Sequence, residues 1–204
     1  YLVYYWGPSV FTVVGSSGQS ADVTITFVTD VVRTVAEYQQ IATTISQCGG
    51  RLNASINKPG GYFELGCDIR PADSEYISVV PLVDFAGVLD GCGYVIDSLK
   101  FDTASGSNNE AGFITIGRGA TLKNIGLTNI VITASARDVK ILGQYTSETG
   151  ATVENVYVSV ASQANCFRMI HGDASHVAIN NLFADYTALS SFATDTKVAN
   201  GTSG

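Results

Sequence analysis

Asp90 and Asp97 stand seven residues apart in the run GVLDGCGYVIDSLKF at 87–101, and they are the acids best spaced to act as a pair. Glycoside hydrolysis needs two carboxylates about 5–9.5 Å apart. A lyase needs a positioned base, typically Arg or Lys, beside Ca²⁺ held by several carboxylates. Asp90 falls in an Asp-Gly dipeptide and Asp97 on the strand that follows. Asp68 would stack one layer below them in a repeating fold. An Asp-Gly pair is also what a plain turn requires. The pair is therefore catalytic only where Asp68 or another acid converges on it. His171, Asp173 and His176 make a second polar cluster, which with Gly172 reads as a turn. The chain holds no G-x-S-x-G, phosphate loop or H-E-x-x-H.

Four cysteines, Cys48, Cys67, Cys92 and Cys166, form no C-x-x-C pair, and neither histidine lies near a cysteine pair. That spacing disfavours zinc. No metal and no cofactor is expected. Buried free thiols are the leading reading, with Cys48–Cys67 the pair to inspect first for a disulfide.

The positioning elements follow from composition and periodicity. Of 204 residues, 46% are apolar and 14% charged, which excludes a disordered chain or a coiled coil. A net charge of −7 argues against nucleic-acid binding, which rests on Lys and Arg meeting phosphate. No apolar run is long enough to insert in a membrane. Residues 1–32 read as strands: ADVTITFVTD alternates apolar with polar side chains. So little sheet rarely makes its own core, so this segment reads as the end of an Ig-like domain in a longer chain or as an assembly strand. Thr34 and Glu37 form a capping box. Val35, Tyr38, Ile41, Ala42 and Ile45 then follow at helical spacing until Gly49-Gly50. A capping helix and linker are expected over 33–59.

From residue 60 the chain repeats itself. Ser98, Asn124, Asn155 and Asn181 each have an aliphatic residue two before and one after, at spacings of 26, 31 and 26. Phe85, Phe113, Ile141 and Phe167 anchor a second strand upstream of each. Such units are too short for propeller blades of roughly 40 residues. They suit the coils of a parallel β-helix, in which like residues stack about 4.8 Å apart. The expected fold is all-β: a right-handed parallel β-helix of four to five coils over 60–189, then a tail or linker over 190–204. Ser98, Asn124, Asn155 and Asn181 are expected to form a structural ladder at one corner.

GGYFELGCDI (60–69), DFAGVLDGCGYVIDSLKF (84–101), GATLKNIGLTNIVI and GATVENVYVSV resemble the GLUG-type, pectate-lyase-like β-helix repeats of bacterial surface proteins and phage virion appendages. The resemblance covers roughly residues 60–186. Cys92 and Ser98 depart from its usual polar residue and Asn. It implies an extracellular place, on a virion or a bacterial cell surface, and it brings no catalytic residues to carry over.

Three functions are compatible with these features. The first is a non-enzymatic display module on a phage particle or cell envelope, with neighbouring virion or surface-protein subunits and host-surface polysaccharide as partners. Tyr62, Tyr76, Tyr94, Tyr145, Tyr157 and Tyr186 would offer platforms for sugars. The second is a polysaccharide-degrading lyase or glycosidase using Asp90 and Asp97. The third is a filament subunit, in which YLVYYWGPSVFTVV pairs with a neighbour as an added strand.

Overall fold

A computed structural model describes residues 7–48, 61–73, 75–79, 82–85, 87–101, 110–116, 120–132, 138–144, 151–163, 166–171 and 177–185. The chain is mostly parallel β-sheet, curled into a half-barrel.

The first two strands stand apart from it. β1 (Gly7–Val14) and β2 (Ser20–Phe27) form an antiparallel hairpin in register from Gly7 opposite Phe27 to Val14 opposite Ser20. The period-2 alternation puts Phe11, Val13, Val23, Ile25 and Phe27 on one face, and all five are exposed. Residues 7–14 thus already have a partner within the chain, and residues 1–6 lie outside the described residues. β3 (Asp30–Val32) does not join the hairpin. It pairs in parallel with β4 (Tyr62–Leu65), so the boundary expected at residue 32 falls on the first strand of the large sheet.

Between them runs α1 (Val35–Cys48). Its capping box forms as read: Glu37 N–H donates to Thr34 Oγ1 at 3.1 Å, and Glu37 Oε2 accepts from Thr34 N–H at 3.1 Å and from Arg33 N–H at 2.6 Å. Tyr38 and Ala42 are buried against the sheet, with Val35 and Ile41 packed beside them. The Gly49-Gly50 stop and the Ile45 side chain lie outside the described residues.

The remaining strands are β5 (Ile77–Ser78), β6 (Leu82–Phe85), β7 (Val88–Asp90), β8 (Val95–Asp97), β9 (Leu99–Phe101), β10 (Glu110–Ile116), β11 (Thr121–Ile132), β12 (Asp138–Gln144), β13 (Ala151–Gln163), β14 (Cys166–His171) and β15 (Val177–Asp185). One sheet runs β15-β13-β11-β7-β4-β3, with β8 and β9 pairing further along β11. A second runs β14-β12-β10-β6. All these pairings are parallel. Core positions therefore stack in files: Phe63 beside Leu89, Leu122, Val153 and Ile179, and Ile96 beside Leu127, Val158 and Ala184. Each buried aliphatic contributes about 1.5–3 kcal/mol, and they make one continuous core.

The repeat is real, but its alignment differs from the reading by pattern. Asp97 pairs with Thr128 and Lys100 with Val131, which places Ser98 opposite Asn129, not in file with Asn124. Leu127-Thr128-Asn129-Ile130 and Leu122-Lys123-Asn124-Ile125 carry the same local signature five residues apart. The chain bends at both, and Ser98 belongs to the second bend. The strand anchors shift likewise: Phe85 pairs with Ile116, and Phe167 with Val139, two residues short of Ile141.

Candidate functional site

The bends determine which polar side chains meet. Cys92, Ser98, Asn124, Asn129, Asn155 and Asn181 all adopt left-handed backbone, with φ between 51° and 58°. Asn tolerates this conformation better than most residues with a Cβ, which is the physical reason Asn recurs there. The three stacked asparagines bond in one direction. Asn181 Nδ2 donates to Asn155 Oδ1 at 2.9 Å, and Asn155 Nδ2 to Asn124 Oδ1 at 3.0 Å. Asn124 Nδ2 then donates to Asp90 Oδ1 at 3.1 Å. The row thus ends on Asp90, not on Ser98.

Asp90 closes β7 and is buried. Its strand neighbours are Glu64 on one side and Lys123 on the other. Oδ1 also accepts from Cys92 N–H at 2.9 Å; Oδ2 accepts from Tyr62 Oη–H at 3.0 Å and from Lys123 Nζ at 3.0 Å. The Lys123 ammonium lies 5.3 Å from the centre of the Tyr62 ring. Burial alone would raise the Asp90 pKa, but the bonds from Cys92, Asn124, Lys123 and Tyr62 outweigh it and hold the carboxyl below its usual range. Lys123 is pushed up to about 12: desolvation works against its charge, and the Tyr62 and Asp90 partners prevail. Tyr62 is raised, first by burial. The Cys92 thiol is pushed up to about 11 by desolvation and by the Asp90 and Glu64 charges.

Asp97 and Asp68 belong to a different cluster. Asp97 accepts from Thr128 Oγ1, from Asn129 Nδ2 at 2.8 Å and from Ser98 Oγ at 3.3 Å. Arg70 bridges it to Asp68, with Nη1 3.4 Å from Asp97 Oδ2 and Nη2 3.0 Å from Asp68 Oδ2. Asp68 also accepts from Val95 N–H at 3.1 Å, and that bond followed by Arg70 lowers its pKa. The structure therefore brings Asp68 to Asp97, places Asp90 with Glu64, and gives each group its own cation.

Asp90 does not have the protonation that acid catalysis needs. Asp90 is held ionised and receives four hydrogen bonds, so it is no general acid. Lys123 stays protonated and is no base. Among the described residues, Glu64, Asp90 and Cys92 bring ligand atoms within 4.8 Å of one another. As a metal site the set fits poorly, because the Lys123 ammonium already neutralises Asp90 and the thiol holds its proton.

The other sequence candidates fall as follows. Cys67 is a free thiol that donates to Arg33 C=O at 3.2 Å, so no Cys48–Cys67 disulfide forms; Cys92 is also free. The His171 side chain, Asp173 and His176 lie outside the described residues, as do Tyr145 and Tyr186. Tyr62 is buried and offers no platform, whereas Tyr76, Tyr94 and Tyr157 are exposed. Sequence reading missed Tyr62, Glu64, Lys123 and Arg70 as partners of the acids. The one available signal was the 26-residue offset shared by Tyr62–Val88 and Glu64–Asp90.

No protein-family profile, curated protein or solved structure matches this chain.

Proposed function

We propose that this chain is a non-enzymatic structural or display module, built as a right-handed parallel β-helix and carried on a phage virion or a bacterial cell surface. Its partners are neighbouring subunits and host-surface polysaccharide. The observation that carries the reading is how the acids are held: both carboxylate oxygens of Asp90, the best catalytic candidate, are taken up by hydrogen bonds and by Lys123, and Asp97 is held apart from it by Arg70 and Asn129. The in-register parallel files and the asparagine row support the stacked-coil architecture. The resemblance to surface and virion repeats supports the location.

Incubation with capsular polysaccharide should release no reducing ends and no unsaturated sugars, and antibody against the chain should label intact virions or cells. Cleavage that is lost in Asp90→Asn would overturn the non-enzymatic reading. Absence of label from both surfaces would overturn the location.

A further inference from the structure

The outer face of the large sheet carries a pair of aromatic rings with polar groups along one side. Between the bends at Asn124 and Asn129, Ile125 and Leu127 are buried in the core, so Gly126 and Thr128 face outward. Register places Gly126 beside Val95 and Tyr157, and Tyr157 beside Phe183. One outward file therefore runs Val95, Gly126, Tyr157, Phe183. A second, two residues further along each strand, holds Asp97, Thr128, Ser159 and Asp185. Tyr157 is 41% exposed and Phe183 62%. Their backbones are about 4.8 Å apart, close enough for one ligand to touch both rings. The rings project from the sheet face, perpendicular to the direction in which strands add. On the other side of Tyr157, Gly126 bears no side chain and admits none, since a methyl group there would stand 2.7 Å from Val95 Cγ1. The layer beside Tyr157 is therefore low, and a flat ligand can lie over it against the ring.

The groups around the rings select the ligand. Tyr157 Oη–H donates to Asp185 Oδ2 at 3.5 Å, which sets the carboxylate beside the aromatic pair. An ionised carboxylate only accepts hydrogen bonds, so the ligand must bring donors. Ser159 Oγ accepts from Asn129 N–H at 3.1 Å, leaving its own proton to donate. A flat apolar face for the rings, with hydroxyls around its rim for Asp185 and Ser159, describes a sugar ring. Two rings are too small an apolar patch for a stable protein partner. Charge narrows the class. On this face, among the described residues, Asp68, Asp97 and Asp185 stand against one cation, Arg70, so a carboxylated or sulfated sugar is repelled.

We propose that Tyr157 and Phe183, with Ser159 and Asp185 beside them, form a binding site for neutral polysaccharide, the sugar rings lying on the aromatic pair. The inference rests on the proposed partnership with host-surface polysaccharide and gives it a place on the chain and a charge class.

The test is an array of neutral and acidic oligosaccharides, followed by titration of the soluble oligosaccharide that gives the strongest signal. Neutral glycans should bind and acidic ones should not. Tyr157→Ala and Phe183→Ala should each weaken binding about tenfold. Both side chains are exposed, so the unfolding midpoint should stay unchanged; should Tyr157→Ala fail to fold, Phe183→Ala and Tyr157→Phe, which keeps the ring and the affinity, decide the matter. Preference for acidic glycans, or variants that bind as the wild type does, overturns this site and leaves polysaccharide as a partner held elsewhere. Binding to no glycan, with antibody still labelling virions or cells, overturns the site and the polysaccharide partnership together and leaves the display reading standing.

Discussion

Lys123 Nζ lies 3.0 Å from Asp90 Oδ2, between strands whose paired residues are 33 positions apart in the chain. The pair is mostly buried, with side-chain exposures of 26% and 9%, and Tyr62 closes over both. Removing one partner leaves the other charged and poorly solvated. Asp90→Ala should lower unfolding free energy by about 2–3 kcal/mol in urea titrations, whereas Glu154→Gln on the next strand should cost well under half of that.

The same pair gives the acid limb its sign. The Asp90 carboxyl is held below its ordinary value of 3.8, so its contribution to stability is complete above that pH. It is lost as pH falls through the lower folded-state value. Asp90→Asn should therefore flatten the loss of stability below pH 3.8, measured by denaturant midpoints across the acid range.

Asn155 both holds a left-handed backbone and links its two neighbours in the row. Gly preserves the first role and loses the second; Ala loses both. Asn155→Ala should be about 1 kcal/mol less stable than Asn155→Gly, the reverse of their order in ordinary extended strand. Thermal or chemical unfolding of the two variants checks it.

Gly91 is required by crowding. A methyl group there would stand 2.4 Å from Asn124 C=O and 2.5 Å from Ile125 Cβ on the adjoining strand. Gly91→Ala should cost about 2–3 kcal/mol, because the obstruction is another strand's backbone and cannot rotate away.

Tyr38 stacks on Phe113 with ring centres 6.2 Å apart, and its buried hydroxyl has no hydrogen-bond partner among the described residues. Burial raises its pKa far above the ordinary tyrosine value. Tyr38→Phe keeps the ring and removes the unsatisfied oxygen, so it should stabilise the fold by about 1 kcal/mol in the same assay.

Cys92 is exposed, yet its thiol pKa is pushed up to about 11. At pH 8 about one thiol in a thousand is ionised. Alkylation by iodoacetamide should be slow at that pH and climb steeply toward pH 11. Asp90→Asn, which removes a neighbouring negative charge, should speed it.

Much of this was written locally. Alternation in ADVTITFVTD is enough for a strand, and Thr34 with Glu37 is enough for a helix start, because both depend on neighbours within a few residues. The recurrence of Asn at bends is local too, since the residue's own backbone preference favours the left-handed turn. What local pattern could not decide was register. Leu122-Lys123-Asn124-Ile125 and Leu127-Thr128-Asn129-Ile130 are indistinguishable by type, and each is an equal match for Ile96-Asp97-Ser98-Leu99. Only the packed stack chooses, by seating Ile96 against Leu127 and by fitting the four residues between Asp90 and Val95 against the two between Lys123 and Gly126. That choice brought Lys123 and Tyr62 to Asp90 and sent Asp97 to Arg70. Tyr62 and Lys123 reach Asp90 from 28 and 33 residues away, and Arg70 reaches Asp97 from 27, separations that no spacing within a single strand contains.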